Sequence, residues 1–274
     1  MSGSGRRLTA REAAWSARLS GGLGRPLAVY AELDSAMDAA HALAEAGAPA
    51  GACVVAEHQR AGRGRQTRVW SDRPGDSLLL ALLLRPVWPP ARGGLLALGA
   101  GLALARAADR FGAPLLLKWP NDLLFGERKV AGILSEARLS AGGYRHLVLG
   151  LGINVHQGPA DFPPELRGAA ASLDEAAGRR LERGELLAAL LAELETVLAV
   201  VAGADPGADA RLVEAWRRRW PHRGAAAWDA RGRRLCLLDV EADGALRVSG
   251  PAGEERLEAG ELSLRLGPPA GDRA

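Results

Sequence analysis

Apolar residues recur along this chain in two spacings, and the change between them divides it. From Ser35 the segment AMDAAHALAEAG carries small apolar residues at helical spacing, opens on a serine suited to cap a helix and ends at Gly47. GACVVAEHQ is a short continuous apolar run, the mark of a buried strand, and SLLLALLLRP is another, stopped by Pro86. ARGGLLALGAGLALARAADRFG is apolar over too great a length for a strand and predicts a helix ending at Gly112. PLLLKWP predicts a strand closed by Pro120. KVAGILSEARL and HLVLGLGINV predict two more, split by a turn at Gly142–Gly143 and paired as a hairpin. GELLAALLAELETVLAVV and ARLVEAWRRRW follow as helices. From about Pro221 the texture shifts to short alternating strands, with Asp243–Gly244 as a hairpin turn between two of them. The expected layout is a polar, glycine-rich flexible tail over 1–24, a domain of catalytic size over 25–220 and a small antiparallel barrel over 221–267. Strands and helices without strict βαβ alternation favour an α+β class with a mixed, partly antiparallel sheet.

Composition narrows the setting. A length of 274 residues supports one sizeable core and a small second domain. The net charge of +3 is too mild to point by itself to nucleic acid. Two cysteines, Cys53 and Cys236, make no disulfide framework and suit a reducing compartment. The opening MSGSGRRLTAREAAW has no apolar core of a secretory signal. The apolar runs are interrupted short of the roughly 20 residues of a membrane span. The expectation is a cytoplasmic protein with no membrane partner.

Scarce residues sharpen the picture. Of 35 basic side chains only Lys118 and Lys129 are lysines; asparagine occurs only at 121 and 154, isoleucine only at 133 and 153. Arginine serves this chain wherever a generic cation suffices, so a retained lysine points to work for a compact, rotatable ammonium. Both lysines and both asparagines fall in three short blocks: Lys118-Trp119-Pro120-Asn121-Asp122, Lys129-Val130-Ala131-Gly132-Ile133-Leu134, and Gly150-Leu151-Gly152-Ile153-Asn154. Each residue has a plainer reading: Pro-Asn-Asp is turn chemistry, and a polar residue ending an apolar strand is a cap. A fourth block, Gly62-Arg63-Gly64-Arg65-Gln66-Thr67-Arg68, combines permissive backbone with forked phosphate donors; it reads equally as a solvated basic loop or a nucleic-acid patch. Common alternatives are excluded. No Walker A loop is present, neither Gly62-Arg63-Gly64 nor Gly150-Leu151-Gly152 is followed by the third glycine of a dinucleotide fingerprint, no G-x-S-x-G elbow exists, and the five histidines and two cysteines lack metal-ligand spacing.

In this order and spacing, GRGRxxRxW, KWPNDxxxxxxKxAGIL and GxGINV closely resemble the biotin–protein ligase family, also called biotin–[acetyl-CoA-carboxylase] ligase, over roughly residues 25–267. The resemblance implies a mixed-sheet catalytic domain of the biotin/lipoyl ligase type followed by an SH3-like β-barrel. It implies ATP-dependent formation of biotinyl-5'-AMP, then transfer of biotin to a lysine of a biotin carboxyl carrier protein of acetyl-CoA carboxylase. Under it Ser35 and Gln59 help hold biotin, with Ala36, Met37 and Trp70 also at the substrate site. Arg63, Gly64 and Arg65 lie on the loop that closes over the adenylate, Arg63 and Arg65 taking part in catalysis. Lys129 contacts the biotin carboxylate and the α-phosphate, and Gly132 allows close backbone approach. Asn154 closes the pocket. Lys118, Asn121 and Asp122 shape the nucleotide side, with Mg²⁺ near Asp122, and Arg265 reaches back from the tail. Lys118 is a supporting residue in this scheme. No structural metal is expected, and a homodimer is left open.

Two departures from the family pattern carry expectations. The usual Ser-Thr-Asn is Ser35-Ala36-Met37 here, which removes two hydrogen-bonding side chains and implies weaker biotin binding or an altered acid. Fewer than about 30 residues precede the catalytic domain, too few for a winged helix-turn-helix, so no specific DNA binding is expected. A lipoate or octanoate ligase is the nearest alternative. A non-catalytic binding module using the arginine loop for nucleic acid is the alternative of another class.

Overall fold

The computed structural model describes residues 5–66, 68–229, 231–258 and 265–266. The chain runs α1 (Thr9–Ser16), β1 (Leu27–Tyr30), α2 (Ala36–Glu45), β2 (Cys53–Ala56), β3 (Ser77–Leu84), α3 (Gly93–Asp109), β4 (Leu116–Lys118), β5 (Asp122–Phe125), β6 (Arg128–Ser140), β7 (Gly143–Asn154), α4 (Leu173–Ala177), α5 (Arg183–Gly203) and α6 (Pro206–Arg217). Five short strands follow: β8 (Ala226–Trp228), β9 (Arg234–Val240), β10 (Leu246–Gly250), β11 (Gly253–Leu257) and β12 (Arg265–Leu266).

Seven strands form one mixed sheet in the order β1-β2-β3-β7-β6-β5-β4, with β1 and β2 parallel and the remaining pairs antiparallel. The unbroken apolar run of β3 follows from its place between β2 and β7, where every residue is buried. Alternation along β7 sorts its residues between two faces. Leu147, Leu149, Leu151 and Ile153 join the main core with α3 and α5. Val148 faces the opposite way and packs with Met37, Ala40 and Ala44 of α2. Gly150, Gly152 and Asn154 continue that second face beyond the helix. The sheet is therefore covered by helices on one side and by α2 on only part of the other, and the uncovered part is where a ligand can lie.

Three sequence expectations are corrected. Residues 1–24 are not simply a tail: α1 forms, and Trp15 and Leu19 are buried. Trp15 packs against Gly184 at the start of α5, where an added Cβ would sit 2.6 Å from its ring. Arg11 and Arg183 flank the same ring and both pair with the buried Glu57, at 2.5 and 2.8 Å. The tryptophan, this ion-pair cluster and backbone bonds at β1, Leu8 N to Val29 O at 2.7 Å and Ala31 N to Arg6 O at 2.9 Å, dock a segment whose average composition is polar. Second, the chain turns at Trp119–Asn121, but a strand not expected from the sequence follows before the second lysine block: Asp122 opens β5, which pairs with β4 and β6. Third, α5 is, among the described residues, long and apolar enough by length and composition to cross a membrane. In this fold it packs on α3, with Gly99 of α3 pressed against Val197.

The C-terminal strands form an antiparallel sheet in the order β11-β10-β9-β8-β12. Its β9–β10 hairpin turns at Gly244, whose φ of +93° suits glycine. An added Cβ there would lie 2.5 Å from the Gly94 carbonyl carbon, so the hairpin sits directly on the start of α3.

The docking of α1 is testable. Trp15→Ala is expected to lower unfolding free energy by about 3–5 kcal/mol in urea titration, the usual cost of emptying a buried aromatic site. A segment that behaves as a tail would lose nothing measurable.

Candidate active site

A cavity of about 340 Å³ opens on the uncovered face of the sheet. Its floor is bare backbone because glycines alternate with core leucines. Gly132 of β6 and Gly152 of β7 are register partners, and Trp70 lies over both: an added Cβ would come within 3.2 Å of Trp70 at Gly132 and 2.7 Å at Gly152. Gly150 is likewise covered by Met37, whose Sδ would be 2.7 Å from a Cβ there. A side chain at Gly150 or Gly152 would displace the residue above it, and one at Gly132 would press on Lys129 and Trp70.

The loop from Gly62 to Trp70 folds back on itself. Trp70 N donates to Gly62 O at 2.9 Å and Gly64 N to Arg68 O at 2.7 Å. Arg63 is fixed outward by a fork onto Asp38, 2.7 Å to each oxygen, with Glu136 at 3.4 Å. Arg65 reaches across the cavity, donating to Asn121 Oδ1 at 3.3 Å. Asn121 in turn donates to Ile133 O at 2.7 Å, tying the turn after β4 to β6.

Charge is concentrated on the same side. Asp122 is the single carboxylate lining the cavity among the described residues. Its Oδ1 is 2.5 Å from Lys129 Nζ, and it is the strand partner of Lys118. Lys129 Nζ also stands 5.7 Å from the centroid of the Trp70 ring, within cation–π range. Burial holds the Lys118 ammonium below its ordinary pKa; Asp122 opposes that, while Lys129 and Arg68 add to it. Burial lowers Arg65 as well, again against Asp122. Among the described residues no three His, Cys, Asp or Glu side chains come together as a metal site. A cleft with an apolar floor, several cations and one carboxylate suits a ligand carrying several negative charges.

At the other end, Ser35 Oγ accepts Met37 N at 3.2 Å and Gln59 Oε1 accepts Ala36 N at 2.7 Å. Both caps satisfy the first amides of α2 and leave the Ser35 hydroxyl and the Gln59 amide as donors. The Trp70 indole N–H is buried with no partner among the described residues.

The biotin/lipoate A/B protein ligase family model matches residues 30–154, the span that supplies most of this cavity's lining. The chain is 34% identical over 229 residues to the biotin–[acetyl-CoA-carboxylase] ligase of Mycobacterium tuberculosis, covering 79% of this chain and 74% of that protein. The chain belongs to this ligase family. It is 39% identical over 170 residues to the bifunctional ligase/repressor BirA of Bacillus subtilis, covering 62% of this chain. The aligned part spans about half, 52%, of that relative's length. A solved biotin protein ligase from Aquifex aeolicus, in complex with biotin and ATP, superposes with a TM-score of 0.72 at 27% identity, covering 87% of this chain and 98% of that one.

Of the residues singled out from the sequence, the ligase fold brings Ser35, Ala36, Met37, Gln59, Arg63, Gly64, Arg65 and Trp70 to one cavity with Lys118, Asn121, Asp122, Lys129, Gly132 and Asn154. Asn154 acts there through its side-chain amide, Nδ2 donating to Ala171 O at 3.1 Å and to Lys129 O at 3.5 Å. Arg265 pairs with Trp228 as part of β12, and its side chain lies outside what is described. Sequence reasoning missed Arg68 and Trp119. It also missed the wall from Phe162 to Ala170, which closes the cavity through Lys129 N donating to Ala169 O at 2.8 Å. Arg68 stood in a quoted block and could have been found; the Phe162–Ala170 wall has no motif and acts through backbone.

Having only two lysines makes the charge state measurable. After reductive ¹³C-dimethylation the protein should show two lysine signals in the described chain. One of them, removed by Lys118→Arg, is expected to titrate below the ordinary lysine value of about 10.4. A Lys118 signal at or above that value would contradict the desolvation derived from the fold.

Proposed function

We propose that this chain is an ATP-dependent biotin–protein ligase. It would form biotinyl-5'-AMP and pass the biotinyl group to a lysine of a biotin carboxyl carrier protein of acetyl-CoA carboxylase. The observation that carries this reading is Lys129, held between Asp122 and Trp70 above Gly132. The names of the relatives supply the acid, the nucleotide and the acceptor. The C-terminal sheet is read as the SH3-like barrel of such enzymes.

The biotin carboxylate attacks the α-phosphorus of ATP, the bond to the β-phosphate oxygen breaks, and pyrophosphate leaves. Two anions must meet and charge grows on the phosphoryl oxygens. Lys129, as a point charge, can bridge a carboxylate oxygen and a phosphate oxygen, and ligand binding then replaces part of its pairing with Asp122. Arg65, Arg68 and Lys118 supply further positive charge on the nucleotide side. One carboxylate plus substrate phosphates is a donor set that suits Mg²⁺, which Asp122 would help hold and which would offset phosphate charge. The three glycines let Trp70 and Met37 lie close on the sheet, which leaves room for a ligand above and beside them, and a ligand acceptor at Trp70 would satisfy an N–H whose burial otherwise costs about 1–3 kcal/mol. In the second step the acceptor amine attacks the acyl carbon, loses a proton, and AMP departs. Water would intercept the same mixed anhydride, so the Arg63–Arg68 loop lying over the cavity serves retention as well as binding.

ATP–pyrophosphate exchange tests the reading. Biotin-dependent exchange is expected, and lipoate-dependent exchange in its place would assign the other branch of the family. Lys129→Ala should lower exchange by about 100-fold or more with circular dichroism unchanged, as loss of a transition-state charge contact does. Wild-type exchange in that variant would refute the assignment. The Ala36–Met37 departure is tested separately. An Ala36→Thr, Met37→Asn double variant should bind biotin up to about tenfold more tightly in calorimetry, the worth of one or two hydrogen bonds. Unchanged affinity would remove the idea that these positions weaken binding.

A further inference from the structure

Arg63 is held from behind by a chain of polar side chains that never touches the cavity. Glu136 lies on the cavity face of β6, two residues beyond Leu134 of the cavity wall. Its carboxylate is shared: Oε1 is 3.4 Å from Arg63 Nη2, and Oε2 is 3.2 Å from His41 Nε2. On the far side His41 Nδ1 is 2.9 Å from His146 Nε2. His146 is 1% exposed and His41 9%. A buried histidine pair costs desolvation that an apolar pair would avoid, and nothing in the packing of α2 on β7 demands it.

Two ring nitrogens at this distance hold one proton between them. With both rings neutral, His146 Nε2–H donates to His41 Nδ1 and His41 Nε2–H donates to Glu136. A further proton can enter at His146 Nδ1, which faces Glu45 Oε1 at 4.0 Å. Transfer across the histidine bond then presents His41 to Glu136 as an imidazolium, a second cation competing with Arg63 for one carboxylate. Other charges face the pair from every neighbouring element: Asp38 and Glu45 of α2, Arg138 of β6, Arg145 of β7, and Arg85 just after β3. Burial, the facing ring and the two arginines Arg85 and Arg138 push His146 below its ordinary pKa, against the pull of Glu45, so His146 is neutral near pH 7.

We propose that His41 and His146, acting through Glu136, are positioning residues for Arg63: the neutral pair holds residues 61–70 over the acid end of the cavity, and proton uptake by the pair releases them. The value of this hold to catalysis rests on the function proposed above; the hold itself does not.

Hydrogen exchange of residues 61–70 in the ligand-free protein, corrected for the intrinsic pH dependence, reads the clamp directly. In the wild type, protection should fall about fivefold or more between about pH 7.5 and about pH 5.5. Glu136→Gln should be poorly protected at both values and lose the pH response, with its melting temperature within a few degrees of wild type. Asp38→Asn, which removes the other carboxylate on Arg63, should also lose protection. Wild-type protection that does not change with pH, or a Glu136→Gln loop as protected and as pH-sensitive as wild type, overturns the proposal. In pyrophosphate exchange Glu136→Gln should raise KM for biotin about fivefold with kcat within about twofold. A loss in kcat alone would overturn the positioning role. Absence of biotin-dependent exchange in the wild type would refute the proposed function and leave the exchange data on the empty protein to decide the clamp.

Discussion

Everything at the cavity is arranged around one carboxylate. Asp122 pairs with Lys129 at 2.5 Å, lies in register with Lys118, and is the anion that opposes the desolvation of both Lys118 and Arg65. Several cations packed together at a half-buried site repel one another and are stripped of water; a single half-buried anion makes the cluster tolerable without neutralising it. The residual positive charge is what a carboxylate and a string of phosphates would complete. Asp122 can occupy that place because it opens β5 instead of sitting in a loose turn, so its backbone is fixed by strands on both sides.

The sheet supplies the other half of the arrangement through its period of two. Leucine and isoleucine at alternate positions of β7 hold the helical side, and the positions between them are Val148, Gly150, Gly152 and Asn154. One strand thus anchors the core with one face and leaves bare backbone on the other. Gly132 lies opposite Gly152 on β6, which makes the bare patch two strands wide. Met37 and Trp70 drop onto that patch. The apolar floor and the charged wall are therefore not separate inventions: the β6–β7 register fixes the first, and the β4–β5–β6 register fixes the second.

Much of this was legible in the sequence, for identifiable reasons. Strand and helix runs such as SLLLALLLRP and GELLAALLAELETVLAVV are long, apolar and bounded by Pro or Gly, so local pattern and tertiary demand agree. The rare lysines and asparagines pointed to the cavity because arginine had taken every undemanding cationic position. What could not be read was set by single contacts. Nothing in MSGSGRRLTAREAAW announces that Trp15 is buried between two arginines that share Glu57. Asn121-Asp122 satisfies turn chemistry and strand entry alike, and only pairing on both sides of Asp122 decides between them. The Phe162–Ala170 wall contributes backbone carbonyls and apolar bulk, which almost any sequence can provide.

Trp119 shows how the two parts of the chain bear on one another. It follows Lys118 directly, is 3% exposed, and donates its indole N–H to Gly244 O at 3.0 Å in the β9–β10 turn. Leu117 N, two residues earlier, donates to Arg219 O at 2.8 Å, just beyond α6. The strand end that carries Lys118 is thus held on one side by β5 and on the other by the C-terminal part of the chain. Among the described residues the acid end, built from Ser35, Met37, Gln59 and Gly150, has no such tie. Disturbing the C-terminal sheet should consequently move the cations of the nucleotide side while leaving the acid side in place. The tight seat of Gly244 on Gly94 leaves little room for that sheet to shift without doing so. On this reading the C-terminal sheet acts as a strut for the Lys118–Asp122 hairpin, whatever else it does.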